Sequence, residues 1–491
     1  MKIIAIFFVF VLVSSLGAAE DEVNIEKAVQ HVEQLTKYAP RLAGSTYADD
    51  QTMGGVYSAA LYIAETLKSY GYYVEIEEFQ FTTFQITELT LVIDFDGDFS
   101  TYDQLDLSKK TIPPTVRHSD IHHDITAPLA LFEETIDIAG KIPVFEYWTY
   151  YDPAYGDIVG HSNLTLVYKE DEPAFVGHFR ETFTISYQDY LEIKEQKTAN
   201  TVVWVKFSSH SEEVTGYNVV GIKQGGDENV ILCAHYDSVY TEGAIDNGSG
   251  VAALLETARI LSGKHTDNTL YFVFFDAEEI GLLGSEAFVA AHDLSNSVCI
   301  NVDSIASGDT VCVGSIPRYE DFWGSHFFTD PDLDAYVASL AEGILGYRPE
   351  QFYLESVGGY SDFVTFTGGG IPATNITTMD KEAAKIPAIT EEKVSDHSMV
   401  WVRGGRVVYF QEDRFSKVIP YIHTSFDDLA HFDEEIFYDA TKVVAEAAYQ
   451  LSAVSEREAD VLHVLAIGGA VVAVGFIIYV VQHKRRAGAR K

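Results

Sequence analysis

The same local pattern recurs in the middle of this chain: a short apolar run ends in an acidic residue or a histidine, and a helical pattern follows. Residues 230–234, 269–275 and 298–302 are rich in branched and aromatic side chains, which is typical of strands buried on both faces. Alternating strands and helices predict an α/β domain with a mostly parallel sheet. Because ligands bind at the carboxyl ends of such strands, we expect the polar residues there to form a site.

Five residues that follow these runs or their loops are of the types that zinc binds in proteins. They are His235, Asp246, Glu279, Asp303 and His423. Zinc takes imidazole nitrogen and carboxylate oxygen, and a catalytic zinc keeps one position open. Two ions roughly 3.5–4 Å apart can share one carboxylate. The set therefore predicts a hydrolase with two Zn²⁺ ions.

Glu278 adds one carboxylate more than two zinc ions need. A carboxylate that touches the water of a metal site is a natural general base. Consecutive side chains leave an extended backbone in opposite directions, so that Glu278 and Glu279 can have different roles. The sequence thus predicts that Glu278 is catalytic.

Five motifs in this order resemble those of the di-zinc aminopeptidases of peptidase clan MH, which include leucine aminopeptidases, aminopeptidase Y and the glutamate carboxypeptidases. The motifs are HYD at 235–237, GAIDNGSG at 243–250, FDAEEIGLLGS at 275–285, NVD at 301–303 and IHTSFDD at 422–428. The resemblance covers about residues 24–453 apart from one insert. It implies that His235 and Asp303 hold one zinc ion, that Glu279 and His423 hold the other, and that Asp246 bridges the two.

The resemblance also implies a reaction. A hydroxide held by the two zinc ions would attack the scissile carbonyl of a peptide, with Glu278 as general base, and Asp237 would orient the imidazole of His235. The predicted function is removal of N-terminal residues from peptides at the cell surface. Three alternatives remain: a carboxypeptidase of the same family, a glutaminyl-cyclase-like enzyme with one zinc, and a receptor-like relative without catalysis. The complete ligand set counts against the last two.

The sequence indicates the substrate pocket less clearly than the metal site. Tyr360, Ser361 and Asp362 resemble a family segment near the pocket, although Phe363 stands where a histidine is common. Several family members carry a tyrosine just before the last histidine ligand, and Ile422 occupies that position here. The source of oxyanion stabilisation is therefore left open, with Tyr360 as one candidate donor.

Charge and cysteine content exclude two classes of protein. The formal net charge of -41 argues against nucleic-acid binding, because a phosphate backbone would be repelled. Three cysteines are too few for a disulfide-stapled fold. Cys233 and Cys299 lie in predicted core strands, which favours a buried apolar role, and a bridge between Cys299 and Cys312 is left open.

Both ends of the chain carry targeting signals. Residues 1–19 resemble a secretory signal peptide. Residues 464–481 form an apolar run without charge, which is just long enough to span a bilayer of roughly 30 Å, and a basic tail follows. These features predict a single-pass protein of the cell membrane with an extracellular catalytic domain.

The predicted fold class is α/β: a mostly parallel-sheet zinc exopeptidase domain with an inserted β-rich protease-associated domain and one C-terminal transmembrane helix. The insert is predicted because residues 137–145 and 183–191 resemble a protease-associated domain. The predicted divisions are signal peptide 1–19, first catalytic part 20–94, insert 95–212, main catalytic part 213–453, linker 454–463, transmembrane helix 464–481 and cytoplasmic tail 482–491.

Overall fold

The computed structural model describes residues 19–45, 55–114, 120–151, 154–155, 164–176, 181–317, 319, 324, 327–357, 360–387, 389–393, 398–403, 405–411 and 415–453. The strands in these ranges are β1 (Tyr73–Asp94), β2 (Gln104–Asp106), β3 (Ile121–Leu131), β4 (Ile142–Glu146), β5 (Thr165–Tyr168), β6 (Thr182–Thr184), β7 (Val202–Lys223), β8 (Asn229–His235), β9 (Thr269–Phe275), β10 (Ser297–Val302), β11 (Thr310–Ile316), β12 (Glu350–Tyr353), β13 (Ala373–Met379), β14 (Ile389–Thr390), β15 (Ser398–Arg403) and β16 (Arg406–Gln411). The α-helices are α1 (Ile25–Thr36), α2 (Val56–Ser69), α3 (Tyr187–Gln196), α4 (Gly250–Ser262), α5 (Leu283–Ala291), α6 (Pro331–Leu345), α7 (Leu354–Val357), α8 (Phe363–Gly368), α9 (Phe415–Val418) and α10 (Glu434–Ala453).

One large sheet organises the fold. Its catalytic part has the strand order β12-β11-β13-β10-β8-β9-β7. Strands β13, β10, β8 and β9 are parallel neighbours, whereas β11 and β7 join this group in antiparallel orientation. The catalytic part therefore has four parallel pairings, β12/β11, β13/β10, β10/β8 and β8/β9, and two antiparallel ones, so its sheet is mostly parallel, as predicted.

The three predicted strands of the catalytic part are confirmed, and helices α4 and α5 follow β8 and β9, whereas β10 is followed by strand β11 and not by a helix. The run at 269–275 coincides with β9, and the runs at 230–234 and 298–302 lie within β8 and β10. All five residues at 230–234 are buried, as expected for a strand with helices on both faces. In α1, the buried residues are spaced by three or four positions, so that one stripe of the helix faces the core.

A pair of long strands connects the catalytic part to a second hydrophobic core. Strands β1 and β7 have 22 residues each and pair in antiparallel fashion from Tyr73↔Ile222 to Asp94↔Val202. Val219 and Val220 of β7 belong to the larger core, whereas Val203 and Val205 belong to the smaller one. Strands β3 to β6 and helix α3 complete the smaller core, which is called the insert below. The assignment of this insert to 95–212 as a protease-associated domain stays a prediction.

The prediction of a C-terminal transmembrane helix requires correction. Among the described residues, no helix is both long and apolar enough to cross a membrane. The longest of them, α10, has 20 residues, but Glu434 and Glu435 begin it and Glu446 lies within it, and charged groups are costly in hydrocarbon. The predicted span at 464–481 lies outside the described residues. The fold class is therefore corrected to a mixed α/β fold, and the predicted membrane anchoring with a single-pass cell-membrane location is not supported. Residues 1–18 of the predicted signal peptide are also outside the described part.

All three cysteines are free and buried. The Sγ atoms of Cys233 and Cys299 lie 3.5 Å apart on the neighbouring strands β8 and β10. The bridge between Cys299 and Cys312 that the sequence left open is not formed, and the predicted buried role of Cys233 and Cys299 is confirmed.

His31 should make stability depend on pH. Burial, with the charges of Arg259 and Lys27, lowers its pKa to about 4, and its Nδ1 lies 2.6 Å from the Tyr62 hydroxyl. Below an unfolded-state pKa of about 6.5 the unfolded chain binds a proton that the folded chain does not, so the free energy of unfolding should fall as the pH drops from about 6.5 to about 4.

The measurement is chemical denaturation at several pH values for the wild type and His31→Gln. Because glutamine does not titrate, the variant should lose part of the decline in this pH window. Parallel pH profiles for the two proteins would show that His31 does not contribute.

Candidate metal centre

The carboxyl ends of three parallel strands meet at one edge of the sheet. Strand β8 ends at His235, β9 ends just before Asp276, and β10 ends just before Asp303. Glu279 follows β9 by four positions, and Asp246 lies just before α4 with an extended backbone (φ -110°, ψ 98°). His423, which is far away in sequence, is brought to the same edge, so all five predicted metal residues come together.

Asp246 lies between the two histidines. Its Oδ1 is 3.2 Å from His235 Nε2, and its Oδ2 is 3.3 Å from His423 Nε2. Asp303 Oδ1 lies 3.5 Å from His235 Nε2, and Glu279 Oε2 lies 3.1 Å from His423 Nε2. Each imidazole therefore faces a different oxygen of one carboxylate and has a second carboxylate beside it.

Two sets of residues result, and each could hold one metal ion. Within each set, the potential ligand atoms all lie within 4.8 Å of one another. The sets are His235 with Asp246 and Asp303, and Asp246 with Glu279 and His423. Nitrogen and oxygen donors in this combination suit zinc, and three protein ligands per ion leave a position for water or substrate.

The electrostatics of the site favour cations. Burial lowers the pKa of His235, but the carboxylates of Glu278 and Asp303 raise it more strongly, so that the pKa lies well above its ordinary value. Burial also raises the pKa of Glu278 well above its usual range and raises that of Glu279. Carboxylates outnumber imidazoles here, and positive charge would relieve the cost of burying them.

Asp237 connects His235 to the turn that carries both glutamates. Its Oδ1 and Oδ2 accept hydrogen bonds from the backbone N–H groups of Glu278 and Glu279, at 3.1 and 3.2 Å. Asp237 Oδ1 also lies 3.5 Å from His235 Nδ1. The buried carboxylate of Asp237 thus contacts the imidazole of His235 in one ligand set and the backbone of Glu279 in the other.

Two further residues that the sequence did not single out hold the Asp246 loop. Asp427 Oδ1 accepts from the N–H of Ile245 at 2.7 Å. Asn247 donates from Nδ2 to Val302 O at 2.9 Å and accepts at Oδ1 from the N–H of Ser304 at 3.2 Å. Asn247 lies in the motif GAIDNGSG and Asp427 lies in IHTSFDD. The motifs therefore contained a signal for both residues, but only the hydrogen bonds reveal their roles.

Arg41 is the buried cation beneath the site. Its side chain is fully buried and donates to four backbone carbonyls, those of Tyr236 at 2.6 Å, Glu242 at 2.9 Å, Gly243 at 2.8 Å and Leu35 at 3.5 Å. It therefore holds both ends of the loop at 236–243, which leads from β8 to the segment of Asp246. None of the five sequence motifs contains Arg41, so only the hydrogen bonds reveal its role.

A cavity of about 100 Å³ opens beside the metal residues. Of the predicted pocket residues, Tyr360 and Ser361 line it, and Tyr360 is exposed. Asp362 is fully buried and is not among the lining residues, and burial raises its pKa to about 7. The remaining walls include four apolar residues, Phe352, Phe363, Ile419 and Ile422.

Fold and site together define an α/β protein with two adjoining sets of candidate metal ligands that share Asp246. The profile of peptidase family M28, which is part of clan MH, matches residues 218–448, and this segment of the chain belongs to that family. The resemblance that the motifs predicted is thereby confirmed.

Characterised relatives share part of the chain. Aminopeptidase YwaD of Bacillus subtilis is 26% identical over 340 residues, which cover 64% of this chain and 63% of the relative. A probable leucine aminopeptidase 2 of Aspergillus fumigatus is 27% identical over 347 residues, which cover 65% of each chain. The chain thus spans less than two thirds of the length of these two relatives.

Solved structures show the same fold. A zinc aminopeptidase from Bacillus subtilis superposes with a TM-score of 0.56 at 22% identity, covering 88% of this chain and 96% of that one. An aminopeptidase from Aneurinibacillus sp. strain AM-1 gives a TM-score of 0.51 at 23% identity, covering 89% and 96%.

Arg41→Met should destabilise the protein by at least about 3 kcal/mol, because several buried carbonyl groups lose their donor and each costs about 1–3 kcal/mol when left unsatisfied. Arg41→Lys should have a smaller effect, since an ammonium group keeps the charge and some of the bonds. The free energy of unfolding, from denaturant titration, checks both. Wild-type stability of Arg41→Met would contradict a structural role for the guanidinium.

Proposed function

We propose that this protein is a zinc-dependent aminopeptidase that releases N-terminal residues from peptides. The observation that carries the proposal is the pair of ligand sets that share Asp246. Membership of peptidase family M28 supports it, as do relatives named aminopeptidases and a structural neighbour described as a zinc aminopeptidase.

His235 and Asp303 would hold one zinc ion, Glu279 and His423 would hold the second, and Asp246 would bridge them. When bound, the ions would polarise the scissile carbonyl and lower the pKa of water in the site. The distances of 3.1 to 3.5 Å between imidazole nitrogens and carboxylate oxygens support this division of the ligands.

Glu278 is the proposed general base. It lines the cavity beside the metal residues, and its backbone is fixed by the hydrogen bond to Asp237. In this role, Glu278 takes a proton from the attacking water and returns it to the amine that leaves when the peptide bond breaks. Asp237 acts indirectly, because it positions both Glu278 and the imidazole of His235.

The cavity favours an exopeptidase that acts at the amino end. At about 100 Å³ it is well below the roughly 300–1,000 Å³ of pockets for drug-sized ligands, so it suits one side chain. Its described lining includes the carboxylates of Asp246, Glu278, Glu279 and Asp303, and no lysine or arginine. In the proposed function these carboxylates are the ligands of the zinc ions and the general base, so their charge alone does not select an amine. A terminal carboxylate of a substrate would find no cationic side chain among the described lining residues, which counts against the carboxypeptidase alternative.

The first test offers the zinc-loaded protein pairs of free and N-acetylated peptides. We expect release of the N-terminal residue from the free peptides only, since acetylation removes the charged amine. Amino-acid analysis identifies the released residue. Release from the carboxyl end instead would contradict the proposal and favour the carboxypeptidase alternative.

The matched variant for this assay is Glu278→Gln, which removes the base but keeps the shape of the side chain. We expect it to bind two zinc ions and to lose about 10²–10⁴-fold in turnover. Loss of zinc from this variant would mean that Glu278 is a ligand and that the assigned roles are incorrect.

A second test compares two Asp→Ala changes in the ligand sets. Asp246→Ala should lower zinc occupancy at both positions because both sets include this carboxylate, whereas Asp303→Ala should lower only one. Metal analysis after dialysis gives the stoichiometry. An Asp246→Ala protein that loses a single ion would count against a shared carboxylate.

A further inference from the structure

The loop that carries His423 pairs directly with the insert. The N–H of Val176 donates to His423 O at 2.9 Å, and the N–H of Ser425 donates to Ala174 O at 2.7 Å. Phe175 and Thr424 face each other in this short antiparallel bridge. Residues 172–176, which lie between β5 and β6 of the insert, are called the clamp segment below.

The backbone of His423 is in a conformation that needs such support. Its φ angle is +56°, in the left-handed region that non-glycine residues rarely adopt, and Tyr421 in the same loop has a φ of +75°. Residues in this region persist where surrounding contacts determine their conformation. The clamp segment supplies such contacts at the carbonyl of His423 and again two residues later.

The clamp segment is itself fixed inside the insert. The hydroxyl of Thr184, on β6, accepts from the N–H of Phe175 at 3.2 Å and donates to the carbonyl of the same residue. The Phe175 ring is buried against the Tyr147 ring, and Lys169 Nζ lies 4.1 Å from the centre of the Phe175 ring. Phe175 forms a small buried cluster with Phe145, Tyr147 and Val167. Movement of the clamp segment would disturb that cluster.

The two ligand sets are thus held by different parts of the molecule. His235 and the residue before Asp303 belong to β8 and β10, which are neighbours in the central sheet. His423 lies on a loop, with its Nε2 3.1 Å from Glu279 and 3.3 Å from Asp246. A change at the clamp segment would reach one set through His423 and leave the strand-borne residues of the other in place.

We propose that the clamp segment is a positioning element for His423, and that the insert thereby sets the metal affinity of one position in the centre, the one formed by Asp246, Glu279 and His423. This inference rests on the proposed function insofar as His423 is a metal ligand. It assigns to the insert an effect on the metal site itself, in addition to any effect on substrate access.

The test compares Val176→Pro with Val176→Ala in the full-length chain. Proline removes the N–H that binds His423 O, whereas alanine keeps it. Both substitutions remove the branched side chain of valine. Metal-free protein is titrated with Zn²⁺ against a chromophoric chelator, which resolves the two binding constants. We expect Val176→Pro to bind one of the two ions about 10–100-fold less tightly, the range for loss of a contact behind a ligand, with the other constant unchanged. Val176→Ala should match the wild type at both positions.

A second pair of variants tests the same proposal without proline, which could distort the backbone locally. Thr184→Val removes the hydroxyl that holds Phe175 and keeps the shape of the side chain. Thr165→Val is the matched control: it is an equally buried threonine of the insert, and its hydroxyl lies 3.1 Å from that of Thr182. Thr184→Val should weaken one metal position in the same way, whereas Thr165→Val should not.

Three outcomes would overturn the proposal: unchanged constants in Val176→Pro and Thr184→Val, equal weakening of both positions, or the same loss in the control variants. Equal weakening with a lower melting temperature would mark the segment as a general stability element. These outcomes are distinct from failure of the proposed function, which would show as a wild-type protein that binds two ions and cleaves no peptide.

Discussion

The site depends on one carboxylate held between two imidazoles. The oxygens of Asp246 lie 3.2 Å from His235 and 3.3 Å from His423, and three further carboxylates line the same small cavity. Two histidines cannot balance that much negative charge, and burying uncompensated charge is costly. Bound cations would meet this constraint, which explains why the arrangement would suit metal ions.

Hydrogen bonds to the backbone hold these mutually repelling groups in place. Asp237 accepts hydrogen bonds from the N–H groups of Glu278 and Glu279, and Asp427 accepts one from that of Ile245. Arg41 donates to carbonyls at both ends of the loop at 236–243. Charged side chains that bind peptide groups in this way are shielded from water and hold the loops rigidly. The geometry of the centre is therefore set by the protein, as preorganised sites require.

The insert and the catalytic part are connected twice. The β1/β7 pair runs through both hydrophobic cores with one irregularity in register, between Ile86 and Glu88. The clamp segment at 172–176 then returns from the insert to the loop of His423. The first connection fixes the insert on the sheet, and the second brings it into contact with a residue of the centre, which is the basis for assigning it a role in metal affinity.

The sequence by itself determined β8, β9 and β10, the polar residues that follow them, and the residue types of the candidate metal centre. These features follow from local apolar runs and from residue type, and both are properties of short segments. Only the tertiary structure decided that β7 and β11 join the parallel strands in antiparallel orientation, that Asp246 faces both imidazoles, and that Arg41 supports the site through Tyr236, 195 positions away in sequence. The apolar run at 464–481 also illustrates what a local pattern cannot decide. A membrane span requires apolar residues, but apolar residues alone do not establish one. Pairing and hydrogen bonding between distant segments depend on how the whole chain packs, and no local pattern encodes that.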